Sequence, residues 1–119
     1  MTVVEQNTFY GLNNLVVLYC GYNQIQYLAS GTFQPFELIE YLYLGYNQIE
    51  FVDRNEFRSK SQLLSLHLGY NQLQFLDRNF VQGCDNLEEL CLAGNPLPDG
   101  ILFNFAGLPN LNQNVFDCF

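Results

Sequence analysis

The chain has no tryptophan, one histidine and only four positively charged side chains, Arg54, Arg58, Lys60 and Arg78, in 119 residues. Against these stand twelve carboxylates, for a formal charge of −8. That balance excludes a nucleic-acid binder, which needs clustered Lys and Arg against phosphate, and it disfavours anionic membrane surfaces. No apolar run is long enough to cross a bilayer. The opening residues, MTVVEQNTFYG, lack the basic start and apolar core of a secretory leader. Cys20, Cys84, Cys91 and Cys118 contain no Cys-x-x-Cys pair, so neither a zinc knuckle nor a thioredoxin-like centre is expected. No Asn-x-Ser/Thr acceptor occurs in this Asn-rich chain. His67 has Ser65 nearby but no carboxylate fixed by a motif, so no catalytic triad and no enzyme are expected.

What is present is apolar and aromatic. Hydrophobic residues make up 49% of the chain, which excludes a disordered segment, and the 16% that is aromatic is all Tyr and Phe. The length suits one domain. Within it, GYNQ recurs at 21–24, 45–48 and 69–72, a spacing of 24, and AGNP at 93–96 continues the series. The asparagines are Asn23, Asn47, Asn71 and Asn95. Apolar residues keep the same period. Eight before each Asn stand Leu15, Ile39, Leu63 and Leu87. Five before stand Leu18, Leu42, Leu66 and Leu90, and three before stand Cys20, Leu44, Leu68 and Leu92. Two after come Ile25, Ile49, Leu73 and Leu97, and ten after come Phe33, Phe57, Val81 and Phe105.

This pattern, LxxLxLxxNxLxxL followed by Phe, resembles the leucine-rich repeats, and its 24-residue unit resembles the typical class common in animal ectodomains. The resemblance implies an α/β solenoid, a right-handed horseshoe. It places a parallel β-sheet on the concave face and short helical or irregular segments on the convex side. Elementary geometry supports the sheet. The Leu-x-Leu pair sends both side chains to one face of a short strand, and stacking such units builds a core that no single unit can bury. The Asn side chain suits the sharp exit from the strand, where backbone groups need partners. Asp53 and Glu56 have the spacing of a capping box, which predicts one short helical turn there. Pro35, Pro96, Pro98 and Pro109 all fall outside the expected strands.

The period divides the single domain 1–119 into a partial repeat at 1–14, repeats at 15–38, 39–62, 63–86 and 87–110, and a partial repeat at 111–119. Met1 and Phe119 fall at nearly the same phase, and neither end shows the cysteine-rich cap usual in extracellular relatives. Three readings follow: an excised piece of a longer array, a chain with 99–119 as a makeshift cap, or ends that meet other copies.

Outward ladders can be read across the repeats. One is Val17, Tyr41, Ser65 and Glu89; the next is Tyr19, Tyr43, His67 and Cys91. A smooth track of Gly21, Gly45, Gly69 and Ala93 lies beside them. Tyr22, Tyr46 and Tyr70 sit at the strand-to-turn transition, where identical repetition favours mutual stacking in support of the turn. The ladder that varies along the array is the better candidate for contact, because rigid aromatic anchors are what protein-binding patches favour. His67, Cys91 and Glu89 are neighbours with ligand chemistry, but a free Cys beside a His is usually incidental, and no metal or cofactor is expected. Cys91 aligns with Val115 rather than Cys118, so all four cysteines are expected as reduced thiols unless the last segment leaves the repeat register and displaces Cys118.

The functional expectation is a recognition module that binds a protein or peptide on its concave face. The rival is a self-assembling solenoid that associates through its ends. The compartment stays open: the resemblance points outside the cell, while the absent leader, sequons and paired cysteines point inside.

Overall fold

The computed structural model describes residues 3–4 and 8–118. Its main sheet has four parallel strands, β2 (Val17–Tyr19), β4 (Tyr41–Tyr43), β5 (Ser65–His67) and β6 (Glu89–Cys91), in the order β2-β4-β5-β6. A smaller pair joins β1 (Val3–Val4) to β3 (Tyr27–Leu28), also parallel. The register steps by 24 residues at every pairing: Leu18 lies opposite Leu42, Leu42 opposite Leu66, and Leu66 opposite Leu90. The Leu-x-Leu alternation explains this register, since a one-residue slip would turn every leucine of a strand to solvent.

The inward leucines meet a second set of apolar residues from the turn side. Ile25, Phe33, Phe36, Ile39, Leu42, Ile49, Phe57, Leu63, Leu66 and Leu68 are all fully or almost fully buried. Phe9, Phe33 and Phe57 form a ladder of their own, with centroids 6.1 and 5.7 Å apart. Val81 interrupts that ladder, and Phe80 turns inward beside it to meet Phe103 at 5.3 Å.

The asparagines hold the repeats together. The Asn71 side-chain amide donates to the carbonyls of Leu44, Leu68 and Gly69, and its oxygen accepts the Ile49 amide. Asn47 and Asn95 make the same set of bonds one period away. Each therefore satisfies backbone groups of its own turn and of the turn before it, groups that would otherwise be buried without partners. Asn23 donates to Cys20 and Gly21.

Two expectations need correction. Among the described residues no helix forms at Asp53–Glu56 or elsewhere; the turn side is a succession of tight turns such as Glu56 N–H to Asp53 and Cys84 N–H to Val81. Asp53 does cap locally, accepting from the Asn55 amide and from Ser30. Glu56 instead reaches back one repeat, where its carboxylate accepts the amides of Gly31 and Phe33. Those buried amides have no strand or helix partner, so the charge is held where it is needed between turns.

The second correction concerns the cysteines. Cys91 and Cys118 are disulfide-bonded, with Cα atoms 5.5 Å apart, while Cys20 and Cys84 are free. Val115 does align with Cys91, since the Leu92 amide donates to the Val115 carbonyl at 2.7 Å. Beyond it the chain leaves the strand path in a turn, closed by the Asp117 amide on the Asn114 carbonyl, and folds back onto β6. Sequence spacing missed this because repeat register holds only as long as the chain stays extended. The phase of Met1 and Phe119 lies outside the described residues.

Candidate functional site

The open face of the main sheet carries the ladders read from the sequence. Val17, Tyr41, Ser65 and Glu89 are lateral partners, and so are Tyr19, Tyr43, His67 and Cys91. Strand spacing sets what the rings do: neighbouring strands lie roughly 4.8 Å apart, close to the separation of stacked rings. Tyr19 and Tyr43 stack at 4.6 Å and 2°. Tyr22 stacks on Tyr46 at 4.4 Å, and Tyr46 on Tyr70 at 4.6 Å. The second stack belongs to residues in the left-handed region, with φ of 58° to 59°. That conformation costs a non-glycine residue roughly 1–2 kcal/mol. It lets each tyrosine amide donate to a carbonyl of the next repeat: Tyr22 to Gly45, Tyr46 to Gly69 and Tyr70 to Ala93. In the fourth repeat glycine takes the position (Gly94, φ 73°), and the Tyr70 ring lies over it.

The two tyrosine stacks wall a slot of about 520 Å3 whose floor is Gly21 and Gly45. Tyr19 and Tyr22 stand well out at its rim, 70% and 80% exposed. His67 closes one end, its ring 6.3 Å from both Tyr43 and Tyr46. The glycine track is not bare along its whole length. The imidazole lies over Gly45, leaving no room there for a Cβ, and its Nδ1 accepts the Gly69 amide. The Tyr46 phenol is pushed above its ordinary range by desolvation first, then by Tyr22 and Tyr70 beside it.

A second hollow of about 460 Å3 adjoins the slot and shares Tyr43 and His67 with it. Its other wall is the C-terminal segment beside β6, with Asn112, Asn114 and, past the turn, Asp117, opposite Glu89. Asn112 and Asn114 follow the repeat register, with the Asn112 amide on the Glu88 carbonyl, whereas Asp117 has no repeat signal and lies where the turn to Cys118 carries it. Two candidate contact residues are less available than the ladder reading implied: Ser65 is buried, and Cys91 is buried with its sulfur bonded to Cys118. That bond also removes Cys91 as a thiolate ligand beside His67.

A third hollow, about 610 Å3, lies on the turn side between Ser30, Asp53, Glu56, Arg58 and Lys60. Its charged groups are already engaged. Lys60 is buried and donates to the carbonyls of Phe33 and Phe36, and Arg58 donates to Asn55 and Gln82. Burial lowers the Lys60 ammonium pKa, and Glu56 works against that shift. The Asp53 carboxyl is held below its ordinary value by the Asn55 amide, then by Ser30. This hollow is braced structure, and it offers no unpaired buried side chain.

The leucine rich repeat family model matches residues 1–49 and 40–97. The chain belongs to the leucine-rich-repeat family. No curated protein sequence matches this member. The repeats of this family generally mediate protein–protein interaction and are typically non-enzymatic. Among the described residues, no helix is long and apolar enough to cross a membrane.

Proposed function

We propose that this leucine-rich-repeat chain is a recognition module and that the concave strand face takes a protein or peptide ligand. The observation that carries the reading is the slot itself: two parallel tyrosine stacks on the sheet face, exposed at Tyr19 and Tyr22, with Gly21 between them and the His67 imidazole over Gly45. Tyrosine offers large contact area with few rotamers to freeze. Here the rings are also held in place before any partner arrives, which lowers the ordering cost of binding. Tyr19, Tyr43 and His67 are the primary contacts in this reading, with Tyr41, Val17 and Glu89 around them. The 24-residue register supports the typical repeat class and a right-handed horseshoe.

The test is a peptide-display selection on the immobilised chain. Peptides enriched on the natural sequence should lose binding to Tyr43→Asp and to His67→Asp, while urea midpoints stay close to the parent. Retained binding by both variants would overturn the reading. A structural alternative, self-association through the solenoid ends, is favoured by the half-exposed Phe116 ring. It requires molar mass in light scattering to climb with concentration and to stop climbing in Phe116→Asp.

A further inference from the structure

We propose that the flank of the stack, away from the concave face, carries a dimer surface: a stripe of Tyr27, Phe51 and Phe75 that packs against the same stripe of a second copy. The stretch after each turn asparagine repeats one burial pattern. Ile25, Ile49 and Leu73 turn inward, the next two residues turn out, and Leu28, Val52 and Leu76 turn inward again. Backbone bonds from Gln48 to Ile25 and from Gln72 to Ile49 hold these stretches side by side. Tyr27, Phe51 and Phe75 are therefore lateral neighbours, and they are 54, 53 and 61% exposed. A lone exposed Phe is ordinary on a protein surface. An aromatic at the same outward position in three successive repeats makes a continuous apolar patch, the mark of an interaction site. Unlike the concave tyrosines, these rings do not cover one another. Among the described residues no ring contact joins them, and a hollow of about 380 Å3 opens between Phe51 and Phe75.

The stripe also separates charge of opposite sign. Glu50 precedes Phe51, and Gln26 and Gln74 hold its position in the neighbouring repeats. Arg54 follows on the other side of the stripe, and Ser30 and Arg78 hold its position. All six are exposed. Among the described residues, neither Glu50 nor Arg54 makes a side-chain hydrogen bond or ion pair, whereas Asp53, Glu56, Arg58 and Lys60 are all engaged nearby. A two-fold axis running along the stack, over the stripe, lays Phe51 beside Phe51 of the second copy and reverses the transverse direction. Arg54 of each copy then meets Glu50 of the other, and Arg78 meets the Gln74 amide. An axis across the stack would set arginine on arginine, so the charge pattern selects the first arrangement. The surface is its own complement, which an isologous interface requires, and the assembly closes at two copies.

Two effects keep the dimer weak. The formal charge of −8 on each copy opposes association, and a stripe of three rings is short beside a standard interface of roughly 800 Å2 per partner. A Kd of about 10–100 μM is expected at about 0.15 M salt, where a Debye length of about 8 Å confines the repulsion.

The experiment is sedimentation equilibrium of the whole chain from about 5 to 500 μM. The mass should rise from 13.8 kDa and level off at twice that value. Phe51→Asp and Phe75→Asp should each weaken association by roughly tenfold or more. Their urea midpoints should stay near the parent, since both rings already face water. Arg54→Glu sets glutamate against glutamate and should weaken the dimer to a similar degree. Glu50→Arg combined with Arg54→Glu exchanges the two charges and should recover it.

A chain that stays monomeric over the whole range overturns the inference. So does a dimer that ignores Phe51→Asp, or a charge exchange that fails to recover the dimer. Mass that climbs past two copies, or a dimer abolished by Phe116→Asp, assigns association to the solenoid ends and overturns it too. If the chain is monomeric and the display selection yields peptides that depend on Phe51, the stripe takes a foreign partner and the second copy falls. None of these outcomes bears on the concave face, whose reading is tested separately at Tyr43 and His67.

Discussion

Each turn asparagine does a job that its own repeat cannot do for it. Asn71 is 1% exposed, and it serves the Ile49 amide and three carbonyls at once. Alanine at this position leaves those buried groups without partners, and each buried polar group left unpaired costs about 1–3 kcal/mol. Asn71→Ala should therefore lower stability by about 3 kcal/mol. Asn23 bonds only to Cys20 and Gly21 among the described residues and is exposed, so water replaces it. Asn23→Ala should cost about 1 kcal/mol or less. Urea midpoints of the two variants check the difference, and equal losses would contradict the burial argument. Lys60 and Glu56 show where residue-level reading from sequence fell short. Lys60 stands in the slot that Phe36, Cys84 and Leu108 fill with thiol or hydrocarbon. Its ammonium reaches the Phe33 carbonyl, and the Cys84 thiol reaches the homologous Phe57 carbonyl. The departure of one repeat from its own pattern was the available signal, and a charge in an apolar slot marks a backbone group in need of a partner.

At the scale of the element, strand and turn were legible because every repeat poses the same packing problem and solves it with the same residues. The register of β2, β4, β5 and β6 and the two outward ladders follow from the period alone. The helical turn was not legible, since Asp53 and Glu56 have helix-cap spacing while their partners lie in another repeat. The tyrosine stack was read as a support for the turn, and its geometry allows that role to be measured. Tyr46 holds a left-handed backbone and stacks on both Tyr22 and Tyr70. Stacking contributes about 0.5–1.5 kcal/mol per ring pair, which offsets the backbone strain. Tyr46→Ala loses the stacking and keeps the strain, whereas Tyr46→Gly loses the stacking and relieves the strain. The glycine variant should be the more stable of the two by about 1 kcal/mol. Paired thermal melts decide the order, and the reverse order would show that the turn carries no strain.

Among the described residues each strand pairs only with strands one repeat away, so stability accumulates along the stack and is weakest where a neighbour is missing. The Cys91–Cys118 bond acts at that level. It closes a loop with a sequence separation of 27, for which chain entropy gives about 3.5 kcal/mol. Cys118→Ser should lower the melting temperature and release Asp117 from the sheet face, while Asn112 keeps its backbone bond to Glu88. Alkylation without reductant should label Cys20 and spare Cys84, which is buried and whose thiol desolvation holds protonated. Labelling of all four cysteines would contradict the pairing. Disulfides persist in oxidising compartments, so the intracellular leaning drawn from unpaired cysteines loses that support. The aligned phenols have an optical consequence. Rings 4.4 to 4.6 Å apart and within 11° of parallel form two short columns of coupled chromophores, whose transitions mix into exciton bands. Their circular dichroism depends on neighbouring repeats staying in register, so the chain reports in the near ultraviolet, without any label, on how much of its stack is intact.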